Sequence, residues 1–128
     1  MMGKRAPRPV KRGTTWATVK RWALALPHVT EGTSYGMPSL LAFGKFLARR
    51  RTEEGAVVLK VGTMVERDWL LTNEPDAFFI TEHYKAYPAV LVRLEWADPL
   101  AIRELLEASW RRLAPASVRA AHDAQTAT

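Results

Sequence analysis

The chain has 128 residues, 48% hydrophobic and 25% charged, and no cysteine. That length and composition describe one soluble globular domain able to bury its own core, and the missing cysteines exclude disulfides, thiolate metal sites and a cysteine nucleophile. The formal charge of +6 points toward anionic partners, yet five of the 19 basic residues fall in the acid-free stretch 1–12, leaving 14 against 13 acidic groups in residues 13–128.

Those five cations (Lys4, Arg5, Arg8, Lys11, Arg12) are accompanied by Gly3, Pro7 and Pro9. Residues 1–13 are therefore expected to form a basic, disordered arm, which either grips phosphates or serves solubility. No apolar h-region follows the basic start, and no apolar run approaches the roughly 20 residues of a bilayer span. A cytoplasmic protein without a membrane partner is the expectation.

Thr14 or Thr15 can cap a first helix whose stripe is Trp16, Val19, Ala23 and Leu26, ended by Pro27. Thr30 to Pro38 contains two glycines and a proline and reads as an irregular connection. It is no phosphate loop, because neither a Gly-x-Gly-x-x-Gly spacing nor a Gly-Lys-Ser/Thr ending is present. Ser39–Phe43 and Lys45–Arg51 read as strands joined near Gly44. Strict alternation would put Phe46 and Ala48 on one face and Lys45, Leu47, Arg49 and Arg51 on the other.

Glu53-Glu54-Gly55 reads as a turn, and Ala56–Val61 as the third strand. Thr63 and Glu66 match a capping box that opens a short helix ending near Thr72. Residues 77–80 and Ala89–Leu94 are two further strands around a polar, aromatic rim containing Glu82, His83, Tyr84, Lys85 and Tyr87. Asp98-Pro99 starts the last helix, with Ile102, Leu105, Leu106, Ser109 and Leu113 inward and the pairs Arg103–Glu107 and Glu107–Arg111 on a solvated face. Pro115 ends or breaks it, and residues 116–128 are expected to fray. The fold class is α+β: an antiparallel sheet of about five strands with helices on one face, order α-β-β-β-α-β-β-α, in a single domain over 14–115.

Catalytic signatures are missing from the sequence. His28, His83 and His122 are scattered, and there is no His-x-x-x-His, nucleophile elbow or paired-Asp motif. A non-enzymatic protein without cofactor is expected.

With these stretches placed, the chain resembles the MmcQ/YjbR-like family. The resemblance rests on Leu24-Ala25-Leu26-Pro27-His28-Val29-Thr30-Glu31-Gly32, Ser34-Tyr35-Gly36-Met37-Pro38 and Gly44-Lys45-Phe46-Leu47-Ala48-Arg49. It continues through Val58-Leu59-Lys60-Val61, Phe78-Phe79-Ile80-Thr81, His83-Tyr84, Tyr87-Pro88 and Val90 to Leu94, and it spans roughly residues 15–115. Where the family pattern often has a tryptophan after Tyr-Pro, this chain has Ala89. The resemblance implies a CyaY-like fold with a double-wing DNA-binding motif, a DNA-binding role and no established catalytic chemistry. Iron binding as in frataxins would need an acidic ridge. The first helix instead carries Lys20 and Arg21 with no acid between Thr14 and Val29, so no metal is expected.

Two binding surfaces follow. For DNA, an open sheet face would present Lys45, Arg49, Arg51, Lys60 and Arg93 among Leu47, Val58 and Leu91, with Tyr84, Lys85 and Tyr87 on the adjoining rim. For a small ligand or partner protein, Glu31, Tyr35, His83 and Tyr87 would gather, together with Tyr84, where the two irregular stretches meet.

Overall fold

The computed structural model describes residues 13–51 and 56–127. The expected arm lies outside these residues except for Gly13, as does the turn at Glu53-Glu54-Gly55. Helix α1 (Trp16–Leu24) starts at Thr15, whose hydroxyl accepts from the Thr18 amide at 3.2 Å. Val19 and Ala23 are buried, with Trp16 and Leu26 packed beside them.

The strands are β1 (Val29–Ser34), β2 (Met37–Ala42), β3 (Lys45–Arg51), β4 (Ala56–Lys60), β5 (Phe78–Phe79) and β6 (Ala89–Arg93). They form one antiparallel sheet of order β1-β2-β3-β4-β6-β5. Six strands replace the approximate five, because the Thr30–Pro38 stretch is a hairpin rather than an irregular connection. Tyr35 and Gly36 both have positive φ (54° and 74°) between the paired residues Ser34 and Met37. That is the two-residue primed turn whose twist suits a hairpin. Phe43 and Gly44 repeat the device between β2 and β3 (φ 55° and 78°).

One irregularity decides the faces. Leu40 pairs with Ala48 while Leu41 pairs with Phe46, so Leu47 is a bulge residue. Strict alternation fails there. Leu47 and Ala48 both enter the helix-side core, and Phe46 joins the opposite, outer face. Arg49, paired with Val58, remains on the outer face as expected.

Helix α2 (Met64–Asn73), α3 (Pro99–Leu113) and α1 contribute buried residues to the helix-side core. Thr63 caps α2 at 3.1 Å, but the Glu66 carboxylate accepts from the Gly62 amide rather than from Thr63. Asp98 caps α3 at 3.0 Å. In α3, Ile102, Leu106 and Ser109 are buried, as is Trp110, whose Nε1 donates to the Pro27 carbonyl at 2.8 Å and so ties α3 to the end of α1. Arg103 stacks over Trp22 rather than pairing with Glu107; Arg111 does approach Glu107, at 3.8 Å.

Beyond Pro115 the chain is helical rather than frayed. Helix α4 (Ala116–Thr126) buries no residue fully, but Arg111 and Asp123 form two hydrogen bonds of 2.8 and 2.9 Å across α3 and α4. Among the described residues, no helix is long and apolar enough to cross a membrane.

Candidate functional site

The outer face is only partly open. A second small core of Val58, Tyr84, Ala89 and Leu91, flanked by Phe46 and Phe79, sits on it under the segment between β5 and β6. That segment contains a single 3-10 turn, Glu82–Tyr84. Its position is fixed by Arg67 of α2, a buried side chain that donates to the carbonyls of Tyr84 (3.3 Å), Lys85 (2.8 Å) and Tyr87 (3.3 Å). Asp68 holds the rest of that guanidinium at 2.9 and 3.1 Å. The Tyr84 and Tyr87 carbonyls also accept from the Tyr87 and Ala89 amides (3.0 and 2.8 Å), so Arg67 is a second donor there and the donor to the Lys85 carbonyl.

Between this segment and the β1–β2 turn lies a cleft of about 360 Å³ lined by Ser34, Tyr35, Phe46, Arg49, Lys60, His83, Tyr84, Tyr87, Pro88 and Ala89. Its aromatic rings are close. His83 lies 6.3 Å from Tyr35 (86° between planes), 4.7 Å from Tyr84 (85°) and 6.1 Å from Tyr87 (34°). Tyr35 is 80% exposed and Tyr87 54%.

The charges lining the cleft have one sign. Arg49 is 9% exposed, donates to the Tyr84 hydroxyl and stands 5.2 Å from the centre of the Tyr35 ring. Lys60, half-buried at the end of β4, is the second lining cation, and no carboxylate lines the space. Among the described residues neither cation has a carboxylate within ion-pair distance. A buried guanidinium without a counter-ion is costly unless something anionic completes it.

The two expected surfaces thus share a centre. Tyr35, His83, Tyr84, Tyr87, Arg49 and Lys60 come together. Arg51 and Arg93 flank Ala56 at the other end of the outer face, about 13 Å from Lys60 at strand spacing. Arg93 lies over Phe79 at 4.1 Å and reaches the Pro75 and Asp76 carbonyls. Lys85 is exposed and 3.8 Å from Glu82.

Two expected residues belong elsewhere. Lys45 pairs with Ala42, a helix-side core residue, because the bulge reverses the alternation ahead of Arg49. Glu31 pairs with Leu40, also a helix-side residue, and lies 3.6 Å from Lys20 of α1. Phe46 and Arg67 were not expected at the site; the bulge hid the first, and a lone helix arginine gives no signal for the second.

The hydrogen bond between Arg111 and Asp123 raises the arginine and lowers the carboxyl from their ordinary values. No group of three or more potential metal-ligating side chains occurs among the described residues.

Curated relatives match over a shorter stretch. An uncharacterised protein of Mycobacterium bovis is 41% identical over 46 residues, 36% of this chain and 36% of the relative. Uncharacterised proteins from two strains of Mycobacterium tuberculosis match to the same extent. The match therefore spans about a third of the length of these relatives. The YjbR family model matches residues 24–112, from the end of α1 through almost all of α3, taking in the whole sheet and the cleft. The chain belongs to the YjbR family.

Proposed function

We propose that the protein is a non-catalytic nucleic-acid-binding module whose contact is focused on the cleft. The observation that carries this reading is Arg49: a buried guanidinium, unpaired by any described carboxylate, beside Lys60 and a group of partly exposed rings. Phosphate supplies the missing negative charge, and tyrosines supply stacking surface. Arg51 and Arg93 extend the cationic path along the outer face.

The test is fluorescence anisotropy of the full chain with labelled single-stranded and duplex DNA across a salt series. Binding should weaken as salt rises, and Lys60→Gln should reduce the log–log salt slope by about 0.7–0.9, one phosphate contact. Absence of binding to either probe near about 100 mM salt would contradict the proposal, as would a slope untouched by Lys60→Gln.

A small anionic ligand is the second reading, favoured by the size of the cleft. Its volume of about 360 Å³ falls in the range of roughly 300–1,000 Å³ typical of small-molecule sites. Displacement of bound DNA by a small aromatic anion would connect the two readings.

A further inference from the structure

We infer that the cleft accommodates one unpaired nucleotide unit, a planar base carrying a phosphate, either free or within a single strand; the strand form rests on the nucleic-acid reading above. The cleft combines two chemistries, cations and aromatic rings, with Arg49 5.2 Å from the centre of the Tyr35 ring. The cations are the fork of Arg49 and the point charge of Lys60. The Tyr84 hydroxyl accepts from Arg49 and so keeps its own proton to donate. A planar fork beside a lysine suits the several oxygens of a phosphate group.

Among the rings, His83 and Tyr87 are tilted by only 34°, and Tyr35 stands nearly perpendicular to His83. These rings offer faces to a flat group. A base inside a duplex has its own faces covered by its neighbours and shows only its edges. An unpaired base can enter and stack.

Tyr35 strengthens the case independently. Its φ of 54° is a left-handed conformation unusual for a tyrosine, at a turn position where asparagine or glycine is favoured. The side chain held there is 80% exposed, so core packing does not account for it. Strain kept at an exposed side chain is a mark of function.

The test compares five probes on the full chain: a labelled oligothymidylate, the matched duplex, deoxythymidine monophosphate, thymidine and inorganic phosphate. The single strand should bind more tightly than the duplex. Tyr35→Ala and Tyr87→Ala, both at exposed positions, should each weaken single-strand binding by at least about fivefold, the loss of one stacking contact. Lys60→Gln should weaken the strand and the monophosphate alike. The monophosphate binding more tightly than thymidine or phosphate alone identifies the free nucleotide as a ligand, and binding of the strand without the monophosphate identifies the strand. Duplex binding that equals single-strand binding and ignores the tyrosine variants overturns the inference while leaving the nucleic-acid reading intact. Binding of the monophosphate with neither DNA form overturns the nucleic-acid reading and keeps the inference. Failure of all five probes overturns both.

Discussion

Arg49 is the residue on which the account turns, and its energetics give a prediction. A structural buried cation is normally matched by a carboxylate, so removing it leaves an unpaired opposite charge and costs about 3–5 kcal/mol. Arg49 has no such described partner and contacts the Tyr84 hydroxyl and the Tyr35 ring. Arg49→Met removes a charge that has no described carboxylate but leaves the Tyr84 hydroxyl without its donor, so it is expected to lower unfolding stability by no more than about 1–3 kcal/mol while abolishing DNA binding. Chemical denaturation beside anisotropy measures both, and a loss of several kcal/mol would mark Arg49 as structural. Arg67 is the opposite case. Arg67→Met would leave the Lys85 carbonyl without its donor, at about 1–3 kcal/mol, and would take a second donor from the Tyr84 and Tyr87 carbonyls, which keep their amide donors. It should lower stability by at least that amount and shift the ring resonances of Tyr84 and Tyr87; unchanged ring shifts would show that the segment holds itself. At this scale the sequence was informative where strands alternate regularly. Arg49, Lys60 and Arg93 are on the expected face. It was silent at Leu47, because one bulge residue exchanges the faces of everything before it and leaves no compositional trace.

Among the elements, β1 shows why an edge strand is hard to read. Only Val29 of its six residues is fully buried, so the strand lacks the alternating apolar pattern that marks the inner strands. Gly32, Gly36 and Pro38 then resemble a loop, although Tyr35-Gly36 is a hairpin turn. The central strands, α1 and α3 were legible because their caps and apolar stripes agree with one another, whereas α2 was legible from its Thr63 cap alone, its Val65 and Trp69 being exposed. Helix α4 was not: it has no fully buried residue, and its attachment combines polar contacts to α3 with Val118 against the core and His122 4.8 Å from the Trp110 ring. That attachment carries a pH dependence. The Arg111 hydrogen bond holds the Asp123 carboxyl below its ordinary value of 3.8, so its contribution to docking is complete above that value and is lost as pH falls through the lower, docked-state value. Amide exchange in α4 should thus rise relative to α3 as pH drops below about 4. Asp123→Asn should show the faster exchange already at neutral pH and a smaller further acid-dependent loosening, that left by the His122–Glu107 contact at 3.5 Å. The same acid response in both proteins would remove Arg111–Asp123 from the explanation.

For the molecule as a whole, the sheet has two different faces. One is sealed by helices over a continuous apolar core, and the other carries a small second core beside a cationic, aromatic cleft. The fold class was legible from element order and short connections, and membership of the YjbR family matches the resemblance carried by the same stretches. The gathering of Tyr35, His83, Tyr84 and Tyr87 was expected from the two special stretches, and these rings meet because the hairpin tip reaches the segment between β5 and β6. That Arg49 and Lys60 line the same cleft was not legible, because strand alternation gives only their face and not which loops fold over it. The most direct measurement is a backbone and side-chain NMR titration of the full protein with short single-stranded DNA. The account predicts the largest perturbations at Tyr35, Arg49, Lys60, His83 and Tyr87, with smaller ones reaching Arg51 and Arg93. Perturbations confined to the helical face, to Lys45 or to residues 1–12, with the cleft unmoved, would contradict it.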